Sequence, residues 1–144
     1  MMKKILLILS CVVFFTCSKN DNNNNCNYLL NVGFSTSVNL NLPQFNQLQF
    51  PVNAVRLEGF GNEGIILVRI NSSTLVAWDG ADPNHTPSAC SALTIDGLNG
   101  VCGCGDGNEY SLVSGQLVSD TNQPCTLKPY RVEEIGNNIY IISN

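Results

Sequence analysis

The sequence predicts a nearly all-β domain, a small antiparallel sandwich or barrel, carried behind an export signal. Three observations lead there. Downstream of Tyr28 the apolar residues fall in short, β-branched, alternating runs; Gly, Asn, Asp and Pro break those runs at close intervals; and no stretch sustains a helical period. Many short strands with such punctuation close into sandwiches or small barrels. There is no internal repeat and no second domain.

The N-terminus sets the compartment. Met1-Met2-Lys3-Lys4 precede an apolar run from Ile5 to Phe15, interrupted only by Ser10 and Cys11, and then Thr16-Cys17-Ser18-Lys19-Asn20 follow. A basic start, a short apolar stretch and a small-residue exit form an export signal. The run is well short of the ~20 apolar residues that a membrane span requires. Ending at Cys17, it resembles the lipobox of bacterial lipoproteins, with Phe14 where that family most often has Leu. The resemblance implies cleavage after residue 16 and a diacylglycerol on the Cys17 thiol. Each buried acyl methylene contributes ~0.8 kcal/mol, so several chains anchor a protein almost permanently.

Residues 18–25, SKNDNNNN, contain nothing apolar and read as a flexible tether, so the expected organisation is signal peptide 1–16, lipidated cysteine and linker 17–27, and β domain 28–144. The membrane is the expected partner through the lipid. The expected location is the cell envelope, as an outer-membrane lipoprotein facing the periplasm or the cell surface, and a protein partner is left open.

The whole chain carries seven basic and 11 acidic residues. Loss of the signal removes Lys3 and Lys4, leaving a formal charge near −6 and no basic patch. That excludes nucleic acid as an expected partner and electrostatic docking on anionic lipid.

The candidate strands are Ser37 to Leu42, Ala54 to Glu58, Ile65 to Ile70, Thr74 to Trp78, Thr94 to Ile95, Gly100 to Cys102, Glu109 to Leu112, Gln116 to Val118, Tyr130 to Glu134 and Asn138 to Ile142. Turns separate them at Gly59 to Gly64, Asn71 to Ser73, Asp96-Gly97, Asp106-Gly107, Ser114-Gly115 and Gly136 to Asn138, where Gly and Asn tolerate a positive φ. Asn39 to Pro51 reads as an edge strand and loop, since proline confines strands to edges. An exposed groove lined by Phe45 and Phe50 is the alternative.

From Gly64 onward the order of pieces resembles the Rieske domain. Ile65 to Ile70 and Thr74 to Trp78 match its opening hairpin, EYSLVSGQ its aromatic strand and turn, and LKPYRVEEIGNNIYI its closing pair. The resemblance implies two loops at one end of the fold. In a Rieske site each loop supplies one Cys and one His to a 2Fe-2S cluster, imidazole raising the potential relative to thiolate. After AWDGA this chain reads Asp82-Pro83-Asn84-His85, which puts Asp82 at the Cys position and Asn84 at the His position. His85 comes one residue late and is expected to point elsewhere, as a loop histidine bonded to nearby backbone. In the second loop Cys102 fits the ligand position, but Gly105 stands where the histidine belongs. One histidine cannot supply two imidazoles, so the standard ligand set is lost; an iron-sulfur site with other ligands stays open.

Beyond Cys11 and Cys17 five cysteines remain, so at least one has no partner in the chain. Some Rieske domains link their two cluster loops by a disulfide, and the resemblance pairs Cys90 with Cys104, closing about fifteen residues for ~3 kcal/mol. Cys26 with Cys125 is the second expected pair, which leaves Cys102 as the free thiol. Cys102 with Cys125 is the open alternative.

Other chemistries fit less well. His85, Cys90, Cys102 and Cys104 are acceptable zinc ligands, but Cys102 and Cys104 are closer than the usual spacing, and exported thiols oxidise. A redox pair at Cys102 and Cys104 would need a cation or a helix N-terminus, and GLNGVCGCGDGNEY offers neither. GCGDG lacks the Lys of a phosphate loop, the aspartates do not follow calcium-loop spacing, and one loop histidine assembles no triad. The expectation from sequence is therefore a chain with no catalytic residue and no cofactor: a non-enzymatic, membrane-anchored binding or structural module. An electron-transfer protein with an atypical 2Fe-2S cluster is the alternative, and a zinc site is less favoured.

Overall fold

The computed structural model describes residues 25–144; the export signal, Cys17 and most of the tether lie outside the described residues. Nine strands follow in order: β1 (Ser35–Asn39), β2 (Asn53–Leu57), β3 (Ile65–Arg69), β4 (Leu75–Asp79), β5 (Leu93–Asp96), β6 (Asn99–Cys102), β7 (Glu109–Ser111), β8 (Pro129–Gly136) and β9 (Ile139–Ser143). Among the described residues a single 3-10 helix (Asn46–Gln49) interrupts them. Every pairing is antiparallel. One sheet has six strands in the order β1-β9-β8-β4-β3-β2, and the other has three, β5-β6-β7. The antiparallel all-β fold with two loops at one end is borne out.

β3 is the spine, and its composition says why. IILV is a continuous apolar run, the pattern of a strand covered on both faces, and all five residues of β3, Arg69 included, are buried. Ile65 and Leu67 face one core, with Val38, Leu40, Val55, Ala77, Tyr140 and Ile142 inside the curl of the large sheet. Ile66 and Val68 face the other core, between the two sheets, with Leu93, Tyr110, Leu112 and Leu127. Leu67 lies opposite Val55 on one side and Ala77 on the other and is fully buried. Leu67→Ala should therefore lower the unfolding free energy by about 2–5 kcal/mol, read as a fall in denaturant midpoint at unchanged m-value.

The segment 39–51 departs from the expected edge strand. Beyond Asn39 it turns repeatedly, with Phe45 N–H donating to the Leu42 carbonyl and Leu48 N–H to the Phe45 carbonyl. Phe45 and Leu48 are three residues apart, so a 3-10 turn stacks them on one side, and both are buried in the first core. Arg69 fixes the turn: its Nε donates to the Leu48 carbonyl at 2.8 Å, and its guanidinium sits 5.3 Å over the Tyr140 ring. Phe45 is inside and Phe50 is 67% exposed, so the two do not line one groove.

Gln116 to Val118 also forms no regular strand. It contributes one bridge, Leu117 to Tyr110, on the edge of β7. The β8–β9 hairpin turns through Gly136, Asn137 and Asn138 at φ 105, 54 and 60, the left-handed values that Gly and Asn tolerate.

The small sheet positions the site. Residues 80–92 link β4 to β5 and residues 103–108 link β6 to β7, and both loops emerge at the same end. Backbone bonds hold them together, with Gly103 N–H donating to the Cys90 carbonyl at 3.0 Å. A Cβ at Gly103 would meet that carbonyl oxygen at 2.9 Å, so this close approach requires glycine.

Candidate functional site

The two loops meet around Asp82, which is fully buried. Its Oδ1 accepts from the Tyr110 hydroxyl at 2.6 Å and from the Asn84 backbone N–H at 2.8 Å, and its Oδ2 accepts from Asn108 Nδ2 at 2.9 Å. Tyr110 reaches this point from β7 because its ring fills the core between the sheets, leaving the hydroxyl at the loop end. Burial first, and then the Asp82 carboxylate, push that hydroxyl far above its ordinary pKa. It is a fixed donor.

Asn84, at the expected histidine position, faces the opposite strand of chain. Its Nδ2 donates to the Tyr110 hydroxyl at 2.7 Å and to the Cys125 carbonyl at 3.0 Å, and its Oδ1 accepts from Cys125 N–H at 3.1 Å. It fastens the first loop to the segment before β8.

His85 does not point away as expected. Its Nε2 is hydrogen-bonded to Asp106 Oδ2 and lies 3.7 Å from Asp82 Oδ2. The reason is local: Asp82 and His85 close a turn, with His85 N–H donating to the Asp82 carbonyl at 3.3 Å. A turn brings residue i+3 back beside residue i, so a histidine one place late still returns to the pocket.

In the second loop Gly105 has φ 77, a left-handed conformation that a histidine would adopt only under strain. The next residue, Asp106, turns into the pocket. Its Oδ1 accepts from Asn108 N–H at 3.1 Å and its Oδ2 from Asn108 Nδ2 at 2.8 Å. Partial burial raises the Asp106 carboxyl, but the bonds to His85 and to the Asn108 backbone outweigh it and hold the group below the usual carboxylate range. A carboxyl depressed in the native state stabilises the fold fully above the unfolded-state range, and that contribution is lost as pH falls through the native value. Asp106→Asn should lower stability at neutral pH and flatten the acid limb of the stability profile, measured by denaturation in chelator. Parallel profiles for the two proteins would refute this role.

The described cysteines divide into two bonded pairs and one thiol. Cys90 joins Cys104 between the loops, and Cys26 joins Cys125, tying the start of the described chain to the segment before β8. Cys102 is free and buried. Its Sγ accepts from Cys104 N–H at 3.5 Å, and burial, with further contributions from Asp82 and Asp106, pushes the thiol up to about 12. A thiol so protonated is a poor nucleophile.

Two ligand sets considered from the sequence do not form. Zinc held by His85, Cys90, Cys102 and Cys104 is unavailable with Cys90 and Cys104 bonded to each other. A Rieske 2Fe-2S cluster also does not fit. Its first-loop Cys position holds a buried carboxylate with three hydrogen bonds, and the second-loop His position is a left-handed glycine.

The side chains that do converge are Asp82, His85, Cys102 and Asp106, each offering one ligand atom and all four atoms within 4.8 Å of one another. Sequence reading singled out Asp82 and Cys102 by position but missed Asp106, whose only signal was its place just after the glycine.

No family model matches the chain, and no curated protein matches it. Among solved structures it is similar to a protein assigned as an NADH-dependent nitrite reductase small subunit from Mycobacterium tuberculosis. The identity is 14% and the TM-score 0.45, over 78% of this chain and 96% of that one. It is also similar to a protein assigned as the small subunit of an NADPH nitrite reductase, at 26% identity and TM-score 0.39, over 74% of this chain and 97% of that one. The expectation that the chain carries no cofactor is corrected: the loop pocket gathers four side chains of metal-ligating type, Asp82, His85, Cys102 and Asp106.

Proposed function

We propose that this chain is a lipid-anchored, non-catalytic Rieske-like module of the bacterial cell envelope, held on the membrane through Cys17 and presenting its two-loop end as a binding or structural element. One observation carries the reading. Asp82, at the position of a cluster-ligating cysteine, is buried and accepts three hydrogen bonds from Tyr110, Asn84 and Asn108. That network ties the loops together where a cluster would otherwise hold them. The disulfide Cys90–Cys104 braces the same junction, and it suits an oxidising compartment. The sequence from Met1 to Asn25 supports export and a tether long enough to present the domain away from the lipid. The acidic balance argues against nucleic acid as the partner and leaves a protein of the envelope open.

The test uses the full chain expressed in a Gram-negative host. Fatty-acid labelling should follow the wild-type protein into the membrane fraction and be lost in Cys17→Ala. The purified protein should lack stoichiometric iron and acid-labile sulfide and the visible absorption they produce. Stoichiometric iron and sulfide would overturn the module reading in favour of electron transfer, and undiminished labelling of Cys17→Ala would overturn the anchor.

A further inference from the structure

We propose that Asp82, His85, Cys102 and Asp106 form a mononuclear site for a divalent metal ion of the zinc class, closing the two loops onto each other. The inference rests on the reading of this end as a non-catalytic module that no longer holds a Rieske cluster, and it adds what takes the cluster's place.

Geometry is the first support. Asp82 and His85 come from the first loop, Cys102 from the end of β6 and Asp106 from the second loop, and the four ligand atoms lie within 4.8 Å of one another. Ligands at about 2.0–2.3 Å from a tetrahedral ion stand roughly 3.3–3.7 Å apart, so small side-chain rotations complete the shell. The atoms facing inward are the correct ones. Asp82 Oδ2 and Asp106 Oδ2 both converge on His85 Nε2, while Asp82 Oδ1 is held outside by the Tyr110 hydroxyl and Asn84 N–H. Outer hydrogen bonds of that kind orient carboxylate ligands.

Charge is the second support. Two carboxylates, one fully buried and one partly so, share this pocket, and among the described residues the only basic side chain within reach of either is His85. Buried carboxylates require pairing or a metal. The third support is Asn108. Its side chain is fully buried, its Nδ2 bridges the two carboxylates at 2.9 and 2.8 Å, and its Oδ1 has no hydrogen-bond partner. The amide is spent on bridging two negative groups, which holds both carboxylates on the one pocket, and its own carbonyl is left unpaired.

Ligand chemistry selects the ion. A thiolate and an imidazole beside two carboxylates suit zinc or cobalt and not calcium or magnesium. On binding, the Cys102 S–H bond breaks, a metal–sulfur bond forms and the proton passes to solvent, with no change of oxidation state. Four protein ligands leave no open position, so the ion staples rather than catalyses. Cys104 also lies near His85 and Cys102, but its sulfur is committed to Cys90.

The test titrates the full chain, purified in detergent and stripped with chelator, with cobalt(II) and then with zinc. One equivalent of cobalt should give the charge-transfer absorption of a cobalt–thiolate bond, and zinc should abolish it. Cys102→Ser should lose the band. His85→Gln and Asp106→Asn should weaken cobalt binding at least tenfold, while Asp96→Asn on the exposed end of β5 should not. Zinc should raise the melting temperature of the wild type and leave that of Asp106→Asn unchanged. Should Cys102→Ser not fold, Asp106→Asn at the half-open rim decides. A folded wild-type protein with no thiolate band at saturating cobalt, or a band that survives Cys102→Ser or Asp106→Asn undiminished, overturns the site but leaves the module reading intact. Stoichiometric iron and acid-labile sulfide in the untreated protein overturn both.

Discussion

Replacing Cys26 and Cys125 together by serine should lower the unfolding free energy by about 4–5 kcal/mol, and replacing Cys90 and Cys104 by about 3 kcal/mol. The difference follows from loop length. The first bond joins residues 99 apart and constrains almost the whole domain in the unfolded chain, whereas the second joins residues 14 apart. Against the usual stability of about 5–15 kcal/mol, loss of the long bridge leaves a marginal fold. Paired substitutions avoid stranding a reactive thiol beside Cys102. Denaturant midpoints of the full chain, with free thiols counted beforehand, give both values. If the short bridge matters more, chain entropy is not the main contribution, and the junction of the two loops must be strained or unstable without it.

The strands were legible because their signals are local. IILVR in β3, LVAWD in β4 and IYIIS in β9 are each apolar at every position but the last, which marks them as strands, although burial alternates along β4 and β9 and not along β3. The hairpin at Gly136 to Asn138 was legible because its residue types tolerate the φ values it needs. The 3-10 helix was not. Phe45 and Leu48 look like alternation read with Phe50, and only the buried Arg69, which reaches the Leu48 carbonyl from β3, decides that the chain coils there. No window of sequence contains that contact.

The site divides along the same line. The loss of standard cluster ligands was visible by position, since it is a matter of residue identity at Asp82, Asn84 and Gly105. Where His85 and Asp106 point was invisible, because each depends on a tight turn in its own loop and on Asn108 behind it. A one-residue offset in a strand sends a side chain to the opposite face. In a turn it does not, and treating the loop with strand logic is what misdirected His85.

Asp82→Ala should be the most damaging single substitution at the loop end, lowering the unfolding free energy by about 3–5 kcal/mol in the metal-free protein. Alanine removes the acceptor of three donors at once, and two of them, the Tyr110 hydroxyl and the Asn108 amide, belong to side chains with no exposed surface. Water cannot replace the carboxylate without a cavity that connects to solvent. Asp82→Asn separates acceptor loss from volume loss. Its one carbonyl can still accept from Tyr110 and Asn84, but its amide then faces the Asn108 amide, donor against donor, so its cost should fall between those of wild type and alanine. Thermal or denaturant unfolding of the three proteins in chelator gives the order. Equal stability of Asp82→Ala and wild type would mean that the two loops are held by the Cys90–Cys104 bond alone, and the buried carboxylate would then have to be explained by what it binds rather than by what it supports.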